Sequence, residues 1–302
     1  MSITPTIENF ATAKQLVDAL NPLSSWREQQ YATSEDMFFR GQFQAHWDLV
    51  PSALRPESFL FNGSAWTNPP LESVQQIKAE AKILWLFLSL CDDAGLALPE
   101  DGQNLRRSLL EFTEQGGKTS NWPPPELLSF MAFAQHSGIP TRLLDFTTDS
   151  YVASYFAAKK ALDSDDFESA GTLSIWCIPS RLISDQFYWG EGSPLVKERR
   201  VQIVTAPTYM NQNLRAQKGL FLYDQKLEQN TNPMNLLDAF PPHSNPAIKL
   251  TLPHSEADEL LFLLRRLGYH TASLFPSPEQ IVQGIREARI LDDRRSRMTS
   301  NT

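Results

Sequence analysis

The stretch QHSGIPTRLLDFTT, residues 135–148, combines charged, amide, imidazole and hydroxyl side chains in a short space. It follows three consecutive prolines and an apolar segment, and prolines suit the first turn of a helix because no amide hydrogen bond is lost there. The sequence therefore predicts a helix over residues 125–136, ended by Gly138. Residues 141–147 then predict an extended segment.

Outward from this stretch, the pattern alternates between helices and strands. Residues 151–162 predict an alanine-rich helix, and residues 171–178, GTLSIWCI, predict a strand. On the N-terminal side, residues 37–41, MFFRG, predict a short buried strand that ends on an arginine. Apolar residues at helical spacing predict helices over 6–20 and 72–90. These elements indicate an α+β fold.

Composition narrows the possible classes of protein. The 302 residues are 41% hydrophobic and 11% aromatic, which suffices for a large core and excludes disorder along the whole chain. The net charge of −8 gives no overall positive field, so neither nucleic acid nor an anionic membrane is expected as a partner. Cys91 and Cys177 stand far apart in apolar segments, which favours reduced thiols and a cytoplasmic protein.

Several common enzyme motifs are absent from the sequence. It contains no G-x-x-x-x-G-K-[ST] loop, no G-x-G-x-x-G after a strand, no H-E-x-x-H and no G-x-S-x-G. The five histidines are scattered and none has a second ligand at a recognised metal spacing, so no metal site is predicted.

Five side chains between positions 135 and 147 are candidates for a site because they converge at a helix end and an entering strand. They are Gln135, His136, Arg142, Asp145 and Thr147. The spacing also permits a structural interpretation, in which Arg142 and Asp145 form an ion pair and His136 caps the helix. Both interpretations stay open on spacing alone.

Three ordered motifs resemble the FRG domain family: FFRG at 38–41, QHSGIPTRLLDFT at 135–147 and AQKGLF at 216–221. The resemblance implies one FRG-like domain over residues 37–290. An N-terminal helical segment, residues 1–36, would precede it, and a disordered polar tail, residues 291–302, would follow.

A more distant resemblance is to mono-ADP-ribosyltransferases of the Arg-Ser-Glu type, carried by FRG at 39–41 and FTTDSYVASYFA at 146–157. It implies a single domain with a small split mixed β-sheet surrounded by helices, and NAD as substrate. Arg40 would hold a diphosphate or ribose, and Thr147 or Thr148 would order the nicotinamide ribose. The expected ligand-binding residues are Arg40, Arg142, Thr147, Thr148 and Gln135.

The third motif departs from that transferase pattern. Those enzymes need a glutamate on a later strand, and Gln217 stands in the corresponding stretch. Loss of such an electrostatic partner typically costs about two to three orders of magnitude in rate. Either Asp145 or His136 substitutes, the chemistry differs, or the site only binds. Asp145, His136 and Gln217 are therefore the catalytic candidates.

The expected function is an NAD-like nucleotide-binding domain of a bacterial toxin or defence effector, acting as an ADP-ribosyltransferase or NAD glycohydrolase. The alternative is a non-catalytic module that recognises a ligand or a protein, with the irregular residues 180–246 contacting the partner. The neutral Gln217 favours that alternative.

Overall fold

The computed structural model describes residues 4–30, 37–55, 58, 73–115, 122–162, 171–180, 183, 201–205, 212–224, 235–240 and 247–300. Much of the predicted irregular stretch 180–246, and residues 1–3, 31–36, 301 and 302, lie outside this part.

The described strands form one seven-stranded mixed sheet in the order β1-β7-β4-β2-β3-β6-β5. The strands are β1 (Thr6–Asn9), β2 (Met37–Gln42), β3 (Leu144–Thr147), β4 (Thr172–Pro179), β5 (Val201–Val204), β6 (Gly219–Asp224) and β7 (Ile248–Pro253). Only β1 and β7 pair in parallel. The predicted α+β class is confirmed.

Ten α-helices surround the sheet in the described residues. They are α1 (Ala13–Leu20), α2 (Ser25–Gln30), α3 (Ser73–Asp93), α4 (Gln103–Gln115), α5 (Leu128–His136), α6 (Ser150–Lys159), α7 (Gln212–Ala216), α8 (Ala257–Arg266), α9 (Thr271–Leu274) and α10 (Pro278–Ser300). None of the described helices is long and apolar enough to span a membrane.

The sheet is almost divided between β2 and β3. These two strands share a single register pair, Phe39 opposite Thr147, whereas β2 and β4 share six. One half of the sheet is therefore β1-β7-β4-β2, and the other is β3-β6-β5. The candidate site lies at this junction between β2 and β3.

Three apolar clusters make up the core. One packs α1, α6 and α8 against β4 and β7, and includes Leu16, Tyr155 and Leu250. A second packs α3, α4 and α5 beside β6. The third cluster includes Phe38 on β2 and Phe146 on β3. Because alternate residues of a strand point to opposite faces, the third cluster lies across the sheet from Phe39.

The structure corrects the predicted helix over 6–20. Its first part is strand β1, which pairs with β7, and the helix begins only at Ala13. Thr12 explains the break, because its side chain accepts a hydrogen bond from the Gln15 amide and caps the helix. The predicted N-terminal helical segment thus contributes a strand to the sheet.

The predicted disordered tail, residues 291–302, is also corrected. Helix α10 continues to Ser300. Leu291 is buried in the first core cluster, and Arg294 donates to the carbonyl of Ala161 at 3.0 Å and to Asp258 at 3.1 Å. These apolar and polar contacts hold the helix against the domain.

Candidate functional site

A cavity of about 480 Å³ lies where β2 and β3 separate, and we call it the main cavity. Residues of β2, β3 and β6 line it, together with the end of α5 and one face of α6. Helix α6 lies close to β2 because Gly41 has no Cβ; any Cβ there would overlap the backbone of Ala153 and Ala157. The FRG glycine thus shapes one wall of the cavity.

Arg40 spans the junction between the two halves of the sheet. Its Nη1 donates to the main-chain carbonyl of Asp145 at 2.7 Å and lies 3.6 Å from the Asp145 carboxylate. Its Nε is buried and has no hydrogen-bond partner in the described part of the chain. Burial is the largest influence on its pKa, which is lowered, and the nearby Asp145 opposes that shift.

Asp145 presents a carboxylate to the cavity, and 58% of its side chain is exposed. Gln135 donates to Oδ1 from its amide nitrogen at 2.6 Å, and the Gln135 carbonyl accepts a hydrogen bond from Thr141. This chain of contacts fixes the orientation of the Gln135 amide. Among the described residues that line the main cavity, Asp145 alone carries a carboxylate.

His136 ends α5 and also lines the main cavity. Its ring meets the Phe221 ring edge-on, with 5.5 Å between the centroids, and its Nε2 is buried with no hydrogen-bond partner. Burial lowers the pKa of His136 from its ordinary 6.5, although Asp145 acts to raise it. Burial therefore favours the neutral form of the imidazole.

Thr147 and Gln217 lie in the cavity wall with their polar groups engaged. Thr147 Oγ1 donates to the main-chain carbonyl of Gln217 at 2.7 Å. The side-chain Nε2 of Gln217 donates to the main-chain carbonyl of Leu274 at 3.1 Å. Thr148 is exposed and does not line the main cavity. Of the two predicted threonines, Thr147 is the one at the site.

Arg142, predicted as a ligand-binding residue, lies outside the main cavity. It is 2% exposed and forms a two-pronged ion pair with Glu80, at 2.8 and 3.0 Å. The predicted ion pair between Arg142 and Asp145 is wrong, because Arg142 pairs with Glu80 and the cation 3.6 Å from Asp145 is Arg40. Arg142 joins α3 to the loop before β3.

Sequence reasoning missed several cavity residues that lie on other segments. They are the cationic Arg55 and Lys160 and the aromatic Phe43, Trp47, Phe156 and Phe275. Lys160 Nζ lies 5.7 Å from the Phe43 ring centroid and 5.6 Å from that of Trp47. Phe156 stands in the stretch 146–157, but no motif quoted above marks the other five, and the fold alone brings them to the junction.

A second cavity of about 380 Å³, which we call the side cavity, adjoins the first. The two cavities share Arg40, Arg55, Gln135 and Asp145. Ser52 and the turn at Gly138 line the side cavity as well. In the described ranges no group of three or more His, Cys, Asp or Glu side chains is placed to hold a metal ion.

Residues 35–166 match the family model of the FRG domain. The similarity to the FRG domain family therefore extends over residues 35–166 of this chain. The matched residues include β2, α5, β3 and α6, and hence Arg40, Gln135, His136, Asp145 and Thr147. Comparison with curated proteins gives no match, and comparison with solved structures gives none either.

Gln217 lies beyond the matched part of the FRG domain, yet it forms part of the same cavity wall. The site is therefore assembled from the matched part and from later segments, including β6 and Phe275.

Proposed function

We propose that the main cavity of this protein binds a nucleotide of the NAD type. The observation that carries the proposal is the excess of positive charge in the cavity wall: Arg40, Arg55 and Lys160 face the single described carboxylate of Asp145. The chain as a whole has a net charge of −8, so this local excess favours an anionic ligand. Guanidinium groups suit phosphate because they donate two hydrogen bonds in a fixed plane.

The aromatic residues of the wall support a ligand with a flat ring. Trp47 is 41% exposed, and it lines the cavity together with Phe156 and Phe275. Bases and nicotinamide stack on such faces, and base stacking is typically worth about 1–3 kcal/mol. A nucleotide combines the anionic and the planar group that this wall favours.

The wall also holds groups suited to cleavage of an N-glycosidic bond. An oxocarbenium-like ribose is stabilised by a nearby carboxylate, which Asp145 offers, and the neutral His136 can accept a proton. Cleavage with water would break the bond between ribose and nicotinamide, releasing nicotinamide and leaving the hydroxyl of water on the ADP-ribose.

Calorimetric titration of NAD, ADP-ribose and AMP tests the proposal. We expect NAD to bind the natural protein and Arg40→Gln to lose most of that binding, because glutamine removes the charge and is too short to replace the guanidinium. Arg265→Gln serves as a matched control, since Arg265 is a surface side chain whose one ion pair is long, at 4.0 Å. If none of the three nucleotides binds the natural protein, the proposal is wrong.

Gln217 favours a second candidate function, a recognition module that binds the nucleotide without cleaving it. Its amide donates to the Leu274 carbonyl and cannot supply the negative charge of a glutamate. Assays for nicotinamide release separate the two functions. Release that Asp145→Asn abolishes supports catalysis, whereas NAD binding without release supports recognition.

A further inference from the structure

Arg55 follows a short 3-10 turn, Ser52–Leu54, and lines both cavities. Its Nε donates to the Val50 carbonyl at 3.0 Å, which fixes the base of the guanidinium. No described carboxylate forms an ion pair with it. Arg55 thus lines both cavities and has no carboxylate partner among the described residues.

Arg40 lines the same two cavities. The two arginines are close enough for the positive charge of Arg55 to contribute to lowering the pKa of Arg40. Asp145 offsets part of this repulsion, but its carboxylate is largely exposed and also binds Gln135. Two like charges beside one exposed anion are unfavourable unless a further anion neutralises them.

We propose that Arg40 and Arg55 act as a pair that holds a diphosphate at the junction of the two cavities, so that the ligand extends from the main cavity into the side cavity. For the nucleotide part of the ligand, this inference rests on the proposed function. The two positive charges of Arg40 and Arg55 favour a diphosphate whether or not the ligand is a nucleotide.

The shape of the junction favours a diphosphate over a single phosphate. The residues shared by the two cavities are the two arginines, Gln135 and Asp145, so the anionic group sits between two separate spaces of about 480 and 380 Å³. A group that carries substituents at both ends fills both spaces, whereas a terminal phosphate fills one. The apolar residues Ile139 and Pro140 also line the side cavity, and they suit the less polar face of a second sugar or ring.

The experiment compares the natural protein with Arg55→Gln, Arg55→Lys and the control Arg265→Gln by calorimetric titration at two salt concentrations. The probes are adenosine, AMP, ADP-ribose and inorganic pyrophosphate. The Arg40→Gln variant is titrated with the same four probes. We expect Arg55→Gln to weaken ADP-ribose and pyrophosphate binding at least tenfold and to reduce the salt dependence of both. Adenosine carries no phosphate, so its affinity should be equal in all these proteins. Arg55→Lys keeps the charge and should recover part of the loss.

The outcomes separate this inference from the proposed function. If ADP-ribose binds and only Arg40→Gln weakens it, the arginine pair is wrong and the nucleotide site stands. If pyrophosphate binds through both arginines while no nucleotide binds, the pair stands and the nucleotide proposal is wrong. If neither pyrophosphate nor any nucleotide binds, both are wrong. Equal circular dichroism spectra and melting temperatures for the variants show that a loss of binding is not a loss of fold.

Discussion

At the scale of single residues, the site contains two buried polar atoms that lack a hydrogen-bond partner among the described residues. Arg40 Nε and His136 Nε2 are both buried without a hydrogen-bond partner, although buried polar atoms are normally satisfied. Burial lowers the pKa of both side chains. Buried polar atoms that lack a hydrogen-bond partner beside a cavity are typical of binding sites, where a ligand supplies the missing hydrogen bond.

His136 makes the stability of the protein fall as the pH is lowered below about 6.5. Its pKa is lower in the folded protein than the ordinary 6.5, so the unfolded chain binds the proton more readily. Stability contributed by the neutral ring is fully present above pH 6.5 and is lost as the pH falls through that value towards the folded-state pKa. We expect urea midpoints measured between pH 7.5 and 5.5 to fall less steeply in His136→Gln than in the natural protein. Parallel slopes in the two proteins would contradict this expectation.

At the scale of elements, the buried ion pair between Glu80 and Arg142 connects α3 to the loop that leads into β3. Glu80 also accepts hydrogen bonds from Trp122 at 2.9 Å and Gln76 at 2.8 Å, so its carboxylate is the centre of a buried polar network. Both charged side chains are at most 3% exposed. Removal of one partner of such a pair leaves a buried charge uncompensated.

We therefore expect Arg142→Leu to lower the free energy of unfolding by about 3–5 kcal/mol. Urea denaturation of the purified variant measures this effect. The double variant Glu80→Gln/Arg142→Leu is the control, and it should be more stable than Arg142→Leu because no charge remains unpaired. If Arg142→Leu is as stable as the natural protein but no longer binds nucleotide, Arg142 contacts the ligand and its main role is not structural.

The elements that the sequence predicts well are those whose signal is local. The helix over 72–90, the strand over 37–41 and the strand over 171–178 correspond closely to α3, β2 and β4. Strand β1 was not predicted, because its apolar residues also fit helical spacing and its partner β7 lies more than 200 positions away.

The candidate site divides in the same way between local and distant contacts. Arg40, Gln135, His136, Asp145 and Thr147 were found because they stand in two recognisable motifs, and the structure brings all five to one cavity. The partner of Arg142 could not be found, since Glu80 is 62 positions earlier on another helix. Arg55 and Lys160 carry no motif and reach the cavity only through the packing of the whole fold.

At the scale of the whole molecule, the two ends of the chain belong to one core. The first cluster contains Leu16 and Leu20 of α1 together with Leu291 of α10. Strand β1 pairs with the edge of β7, and Ser150 at the start of α6 donates to the Leu20 carbonyl at 2.9 Å. The N-terminal segment therefore supports α6, which forms one wall of the main cavity.

This arrangement predicts that residues 37–290 do not form a stable domain by themselves. Burial of one leucine is worth about 1.5–3 kcal/mol, so loss of Leu16, Leu20 and Leu291 removes an amount comparable with the whole stability of a typical domain, about 5–15 kcal/mol. Loss of β1 also leaves β7 as a bare edge that invites aggregation. We expect the 37–290 fragment to lack a cooperative thermal transition or to elute as aggregates in size-exclusion chromatography, while a 4–300 fragment behaves as the complete sequence does. If the 37–290 fragment is monomeric and melts within a few degrees of the 302-residue chain, residues 37–290 fold independently and the terminal segments add little stability. The fragment would then be the smaller protein on which to measure nucleotide binding.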